Sequence, residues 1–177
     1  MGTRVRLVRV LGLALPLAWL APLALGAATG GATAGAAEAR IAVVTGTTPP
    51  NLTLNREALR DIFLKRVVID HSGSKLVPLN LPPEDPLRAA FSEALLGKPP
   101  DALQRYWNER YFQGVSPPYV VRSEEAMLRF IAETPGALGY VATCRVDKRA
   151  RVVIELPVPA GLAAQIAALC REGPSRP

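Results

Sequence analysis

The chain has 177 residues and a formal net charge of +6. Part of that charge belongs to the first residues, and the remainder carries 18 basic against 15 acidic residues, a net charge of +3. The basic residues are scattered, with Arg145, Lys148, Arg149 and Arg151 the one local cluster. Nucleic-acid binding needs a basic face interleaved with aromatics, so this composition excludes it as the expected partner.

The N-terminus reads as a secretory signal peptide. Arg4, Arg6 and Arg9 form a cationic start, Val10 to Leu25 is an uncharged apolar run, and Gly26 to Gly31 are small residues. Charge, apolar run and small residues in that order are what the export machinery and its peptidase read. The apolar run is 16 residues long, short of the ~20 that a spanning helix needs. Pro16 and Pro22 weaken it further as a helix. We therefore expect residues 1–28 to be a cleaved signal, with the cut between 26 and 37. Residues 29–39 then form a flexible lead-in, and 40–172 a single domain outside the cytoplasm. No stable membrane insertion is expected after the signal is removed.

Ile41 to Val44 is wholly apolar, consistent with a buried strand. Asn55 suits the N-cap of a helix ending near Lys65, with Leu54 and Leu59 at the positions of a hydrophobic staple. Val67 to Ile69 and Leu76 to Leu79 are β-type runs. Turn-forming residues Asp70 to Lys75 join them, which predicts a hairpin. Asp85 caps the next helix, Pro86 fits its first turn, and Gly97 ends it. Asp101 opens a third helix, with Leu103, Trp107 and Tyr111 at a spacing of four. That spacing assigns Trp107 and Tyr111 to the core. Gly114 closes this helix, and Gly114 to Pro118 reads as a rigid connector that also offers Ser116 to a surface. Ser123 caps a fourth helix. Strands follow at Leu138 to Ala142 and Arg151 to Leu156, then a last amphipathic helix from Pro159 to Cys170. Strands alternating with helices predict an α/β fold, a sheet covered by helices.

No nucleophile elbow, Walker loop or dinucleotide fingerprint occurs in the mature chain. His71 is the lone histidine and sits in a turn without partners for zinc or nucleophilic catalysis. We expect no enzyme, no cofactor and no metal. Cys144 follows a strand and Cys170 ends the last helix. In an oxidising compartment they are expected to form a disulfide.

The order of these signals resembles a known family. It rests on Leu54-Asn55-Arg56-Glu57-Ala58-Leu59 running into Ile62-Phe63, the Gly73 turn, and Val77-Pro78-Leu79-Asn80 leading to Asp85-Pro86-Leu87-Arg88. Tyr106-Trp107 and Pro135-Gly136-Ala137-Leu138-Gly139-Tyr140-Val141 complete it. Over about Ile41 to Val141 the chain is similar to the phosphate-binding proteins of ABC transporters, and more closely to their short single-domain periplasmic relatives. The resemblance implies a single lobe of a type-2 periplasmic binding protein, a mixed sheet flanked by helices.

A full capture protein of that class has two lobes and about twice this length. It holds phosphate in a loop of the Arg-x-x-Ser-Gly-Thr kind at a helix N-terminus. At the matching place this chain reads Asn80-Leu81-Pro82-Pro83-Glu84-Asp85-Pro86. The hydroxyls are gone, the prolines remove donors, and two carboxylates stand where the anion would sit. Candidate ligand residues are Asn80, Asp85, Arg88, Ser116, Arg122 and Ser123. Arg88 either reaches an anion over the loop or pairs at the surface with Glu84 or Asp85, and the pairing is preferred. Arg122 and Ser123 either seat an anion or simply cap a helix that already carries Glu124 and Glu125, and capping is preferred. The expected function is therefore binding of a small oxyanion or of an envelope protein, without tight phosphate capture. A homodimer is the way a single lobe would rebuild a cleft.

Overall fold

The computed structural model describes residues 39–171, together with Gly2. The expected signal peptide and nearly all of the lead-in lie outside these residues. Among the described residues no helix is long and apolar enough to cross a membrane.

Two strands are buried along almost their whole length, which explains their largely apolar sequences. They are Arg40–Thr45 (β1) and Ala137–Ala142 (β4). Val77–Asn80 (β2), Tyr119–Val120 (β3) and Arg151–Pro157 (β5) complete a five-stranded sheet of order β3-β2-β4-β1-β5. β2 pairs in parallel with both β3 and β4, whereas β1 is antiparallel to β4 and β5. β1 thus runs alone against four strands that share one direction.

Helices cover the sheet. Arg56–Phe63 (α1) begins where Asn55 Oδ1 accepts from the Ala58 N–H at 2.8 Å, and it buries Leu59, Ile62 and Phe63. Pro86–Phe91 (α2) continues through a π-helical turn at Ser92–Leu96, which Gly97 closes in the left-handed region. Ala102–Phe112 (α3), Glu124–Glu133 (α4) and Ala163–Arg171 (α5) follow. α4 lies directly on β4, because a Cβ at Gly139 would strike the Met127 side chain. Gly136 turns the chain into β4 at φ +74°, where any Cβ would also overlap the Lys75 carbonyl. That double constraint is why the Pro135-Gly136 turn stands out in the sequence.

Three aromatic rings tie the layers together. Phe91 of α2 stacks on Tyr140 of β4 at 3.7 Å, and Phe63 of α1 meets Phe91 edge-on at 4.7 Å. Such pairs contribute about 0.5–1.5 kcal/mol each beyond their buried area.

The expected hairpin is reduced to one bridge, between Ile69 and Lys75. Val68 and Ile69 are exposed, and β2 pairs with β4 and β3 instead of extending that bridge. Tyr111 departs from expectation in the same way: Trp107 is buried, but Tyr111 is exposed near the free end of α3. β3 itself lies in a segment the sequence assigns to no element.

Cys144 and Cys170 are bonded, their Cα atoms 5.8 Å apart across a separation of 26 residues. The bond fastens α5 to the turn after β4, and loop-closure arithmetic gives about 3–4 kcal/mol. Replacing Cys170 by serine should lower the unfolding free energy by about 3 kcal/mol in a denaturant titration. Full retention of stability would show that α5 docks without the bond.

The turn before β2 is organised by Asp70. Its carboxylate accepts from the Ser72 hydroxyl at 2.6 Å and from the N–H groups of Asn51, Ser72 and Ser74, each at 2.9 Å. These donors, the Ser72 hydroxyl foremost, hold its pKa at about 2, below the ordinary 3.8. A depressed acid stabilises the fold above its unfolded pKa and loses that contribution as pH falls through the folded value. Asp70→Asn should therefore be less stable than the natural chain at neutral pH, with the gap closing as pH falls from 3.8 towards 2. Thermal melts across that window measure it; a gap independent of pH would contradict the assignment.

Candidate functional site

β2, β3 and β4 are parallel, so their carboxyl ends face the same way. From β2 the chain goes to β3 on one side and returns to β4 on the other. That makes the carboxyl end of β2 a topological switch point, the place where open α/β sheets bind ligands. Two helices begin there, α2 after the Leu81–Asp85 loop and α4 after Arg122.

The centre of this region is a buried polar cluster. Asn80 ends β2 and is buried. The Tyr140 hydroxyl donates to Asn80 Oδ1 at 3.3 Å and accepts from the Leu81 N–H at 3.1 Å. Arg88 reaches back from the first turn of α2, and its Nη1 donates to the Leu81 carbonyl at 2.8 Å. Burial holds the Tyr140 pKa far above its ordinary 10, against the pull of the Arg88 charge beside it. The hydroxyl therefore stays protonated and available as a donor.

Both helix starts are occupied by side chains of the protein. Asp85 Oδ1 accepts from the Leu87 N–H at 2.8 Å, and Ser123 Oγ from the Ala126 N–H at 3.1 Å. Glu124 turns away from its own helix and takes the Ala142 N–H at the end of β4, at 2.6 Å. Arg145 Nε stands 3.9 Å from its other oxygen. Burial pushes the pKa of Glu124 up, and the nearby charge of Asp85 adds to the shift. Burial likewise raises Asp85, with Glu84 contributing in the same sense.

Asn80, Asp85 and Arg88 therefore come together, and Ser123 borders them as a cap. The preferred surface reading of Arg88 is corrected. Its side chain is buried, it pairs with neither Glu84 nor Asp85, and its Nε meets no partner among the described residues. The stripe Leu87, Ala90, Phe91 carries the signal for this, since position 88 flanks it and shares its side of the helix with Phe91. Arg122 is exposed and without an ion pair among the described residues, and Ser116 is exposed in the α3–β3 connection. Glu124 and Tyr140 are the participants the sequence did not single out. A tyrosine in an otherwise apolar strand was the available sign, because a buried hydroxyl requires a partner. The basic cluster is neutralised in part: Arg149 pairs with Glu125 and Asp147, each through Nη2, at 2.7 and 2.6 Å.

No family model matches the sequence, and no curated protein does. Solved structures do. The chain is similar to an ABC-type phosphate transport receptor from Vibrio cholerae, with a TM-score of 0.51 at 14% identity over 75% of this chain. It is also similar to a putative phosphate ABC transporter substrate-binding protein with bound phosphate from Clostridium perfringens, with a TM-score of 0.54 at 13% identity over 76% of this chain. The chain thus shares the α/β fold of the matched part of these two proteins, a mixed sheet flanked by helices. At this identity the likeness is one of fold. The chain spans 63% and 61% of those two chains, under two thirds of either.

Tyr140→Phe removes the acceptor of the Leu81 N–H and leaves that buried donor unpaired. It should cost about 1–3 kcal/mol of stability. The loss should be constant through the neutral pH range, since the hydroxyl does not ionise there. Denaturant titration at several pH values tests both statements.

Proposed function

We propose that this protein is an exported, non-enzymatic, single-lobe binding protein of the periplasm, whose domain spans residues 40–172. It works as a partner-binding module and does not capture phosphate tightly. One observation carries the reading: where an anion would sit, the chain supplies its own carboxylates. Asp85 takes a helix N–H at the start of α2. Glu124 takes the last N–H of β4, and Ser123 fills the cap of α4. An arriving phosphate would find these donors in use and negative charge beside it. A single lobe also encloses only one side of a ligand, and an ion stripped of water without replacement on all sides is costly.

One observation favours a second reading, capture of phosphate or another oxyanion, alone or by a dimer that rebuilds a cleft. Arg88 is a buried cation with no carboxylate in ion-pair reach among the described residues. Its guanidinium, however, already serves the Leu81 carbonyl and holds the loop.

Calorimetric titration of the mature protein with inorganic phosphate at moderate salt separates the two. Even a millimolar dissociation constant requires about −4 kcal/mol, so the first reading expects no saturable binding below the millimolar range. A micromolar constant would overturn it.

A further inference from the structure

Four of the seven exposed large hydrophobic side chains among the described residues lie within ten positions. Phe112 is 89% exposed, Tyr119 68%, Tyr111 67% and Val120 57%. They sit at the end of α3 and on β3, the outermost strand of the sheet on that side. α3 ends in a reversal, with Gly114 N–H donating to the Tyr111 carbonyl and Val115 N–H to the Arg110 carbonyl. Six residues, Gln113 to Pro118, separate the last residue of the helix from β3, a reach of at most ~25 Å. The exposed side chains therefore form two pairs on one short stretch of chain, at the end of α3 and on β3.

The backbone of β3 is open. Val121 N–H donates inward to the Asn80 carbonyl at 2.8 Å. Successive N–H groups of an extended strand alternate in direction, so the N–H and C=O of Val120 face outward, away from β2. Pro117 and Pro118 carry no N–H, which limits the edge to a short anchor and guards it against indiscriminate pairing.

The charge is one-sided. Residues 102–123 hold Arg105, Arg110 and Arg122 against a single acid, Glu109. Arg105 and Arg122 are exposed and have no ion-pair partner among the described residues, whereas the neighbouring Glu124 and Glu125 face Arg145 and Arg149.

We infer that the outer edge of β3 and the end of α3 dock an extended, acidic segment of a partner protein, which adds a strand beside Val120. Its alternate apolar side chains lie on Tyr119, Tyr111 and Phe112, and its carboxylates meet Arg105 and Arg122. A second copy paired edge to edge would set these arginines against like charge. An anionic membrane would use the arginines and aromatics but leave the outward N–H and C=O of Val120 without a strand. The inference rests on the partner-module reading and names the chemistry of the partner.

The test uses fluorescent decapeptides that alternate glutamate with valine or tyrosine, and matched peptides with lysine in place of glutamate. Binding is followed by anisotropy and by amide NMR shifts on the mature protein. The expected result is saturable binding of the acidic peptide alone, with shifts centred on Val120. The paired substitution Arg105→Glu and Arg122→Glu should weaken it about tenfold or more. Val120→Pro should do the same by removing the outward donor, with circular dichroism confirming that each variant is folded. Equal binding of the lysine peptide, no binding, or shifts elsewhere overturns the inference. So does dimerisation through this edge in sedimentation, or binding to anionic phospholipid vesicles that survives Val120→Pro. Phosphate titration is an independent measurement, so failure here with no phosphate bound rejects the docking strip and leaves the module reading standing.

Discussion

Backbone donors that end up inside a protein must find acceptors, and at the carboxyl ends of parallel strands they have no further sheet to turn to. In this protein that requirement is met from within. The Leu81 N–H goes to Tyr140, the Ala142 N–H to Glu124, and one first-turn N–H each of α2 and α4 to Asp85 and Ser123. The Leu81 carbonyl is satisfied by Arg88. Two of these side chains are tied to the aromatic core as well, since Tyr140 is stacked on Phe91 and Arg88 belongs to the helix that carries Phe91. Tyr140 therefore belongs both to the polar cluster and to the aromatic core, and a change there disturbs both.

This arrangement separates fold from ligand chemistry. The same sheet and the same helix starts can present N–H groups to an ion or can consume them internally, and the choice lies in a few side chains at strand ends. The likeness to phosphate-transport proteins extends over three quarters of the chain at 13–14% identity. What such a likeness transmits is the placement of strands and helices. The donors at the switch point are set by local residues such as Asp85 and Glu124, and they follow no global constraint.

Much of the scaffold was legible because local signals agreed with each other. Asn55, Asp85 and Ser123 are caps by residue type and by position, and each takes the N–H that its role requires. β1 and β4 are readable as uninterrupted apolar runs because both of their faces are covered. The disulfide was readable from where the two cysteines fall relative to elements. The failures share a cause, which is that burial at element ends is decided by tertiary neighbours. Tyr111 keeps the helical spacing of Trp107, yet the last turn of α3 extends past the layer it covers. Val67 to Ile69 has the composition of a strand and no sheet beside it. Arg88 looks like a surface residue until Leu81 is seen folding over it.

The position of β1 has a consequence for how the chain assembles. It is the first strand, yet it lies in the interior of the sheet between β4 and β5, and Ile41 pairs with both Ala142 and Leu156. Its partners arrive roughly 100 residues later along the chain. Such long-range pairing slows folding, because loop-closure entropy precedes the contacts that reward it. β1 cannot be sealed into the sheet until almost the whole domain has emerged. Until β4 and β5 are delivered, a polypeptide with this strand order leaves its most apolar N-terminal strand without a neighbour in the sheet.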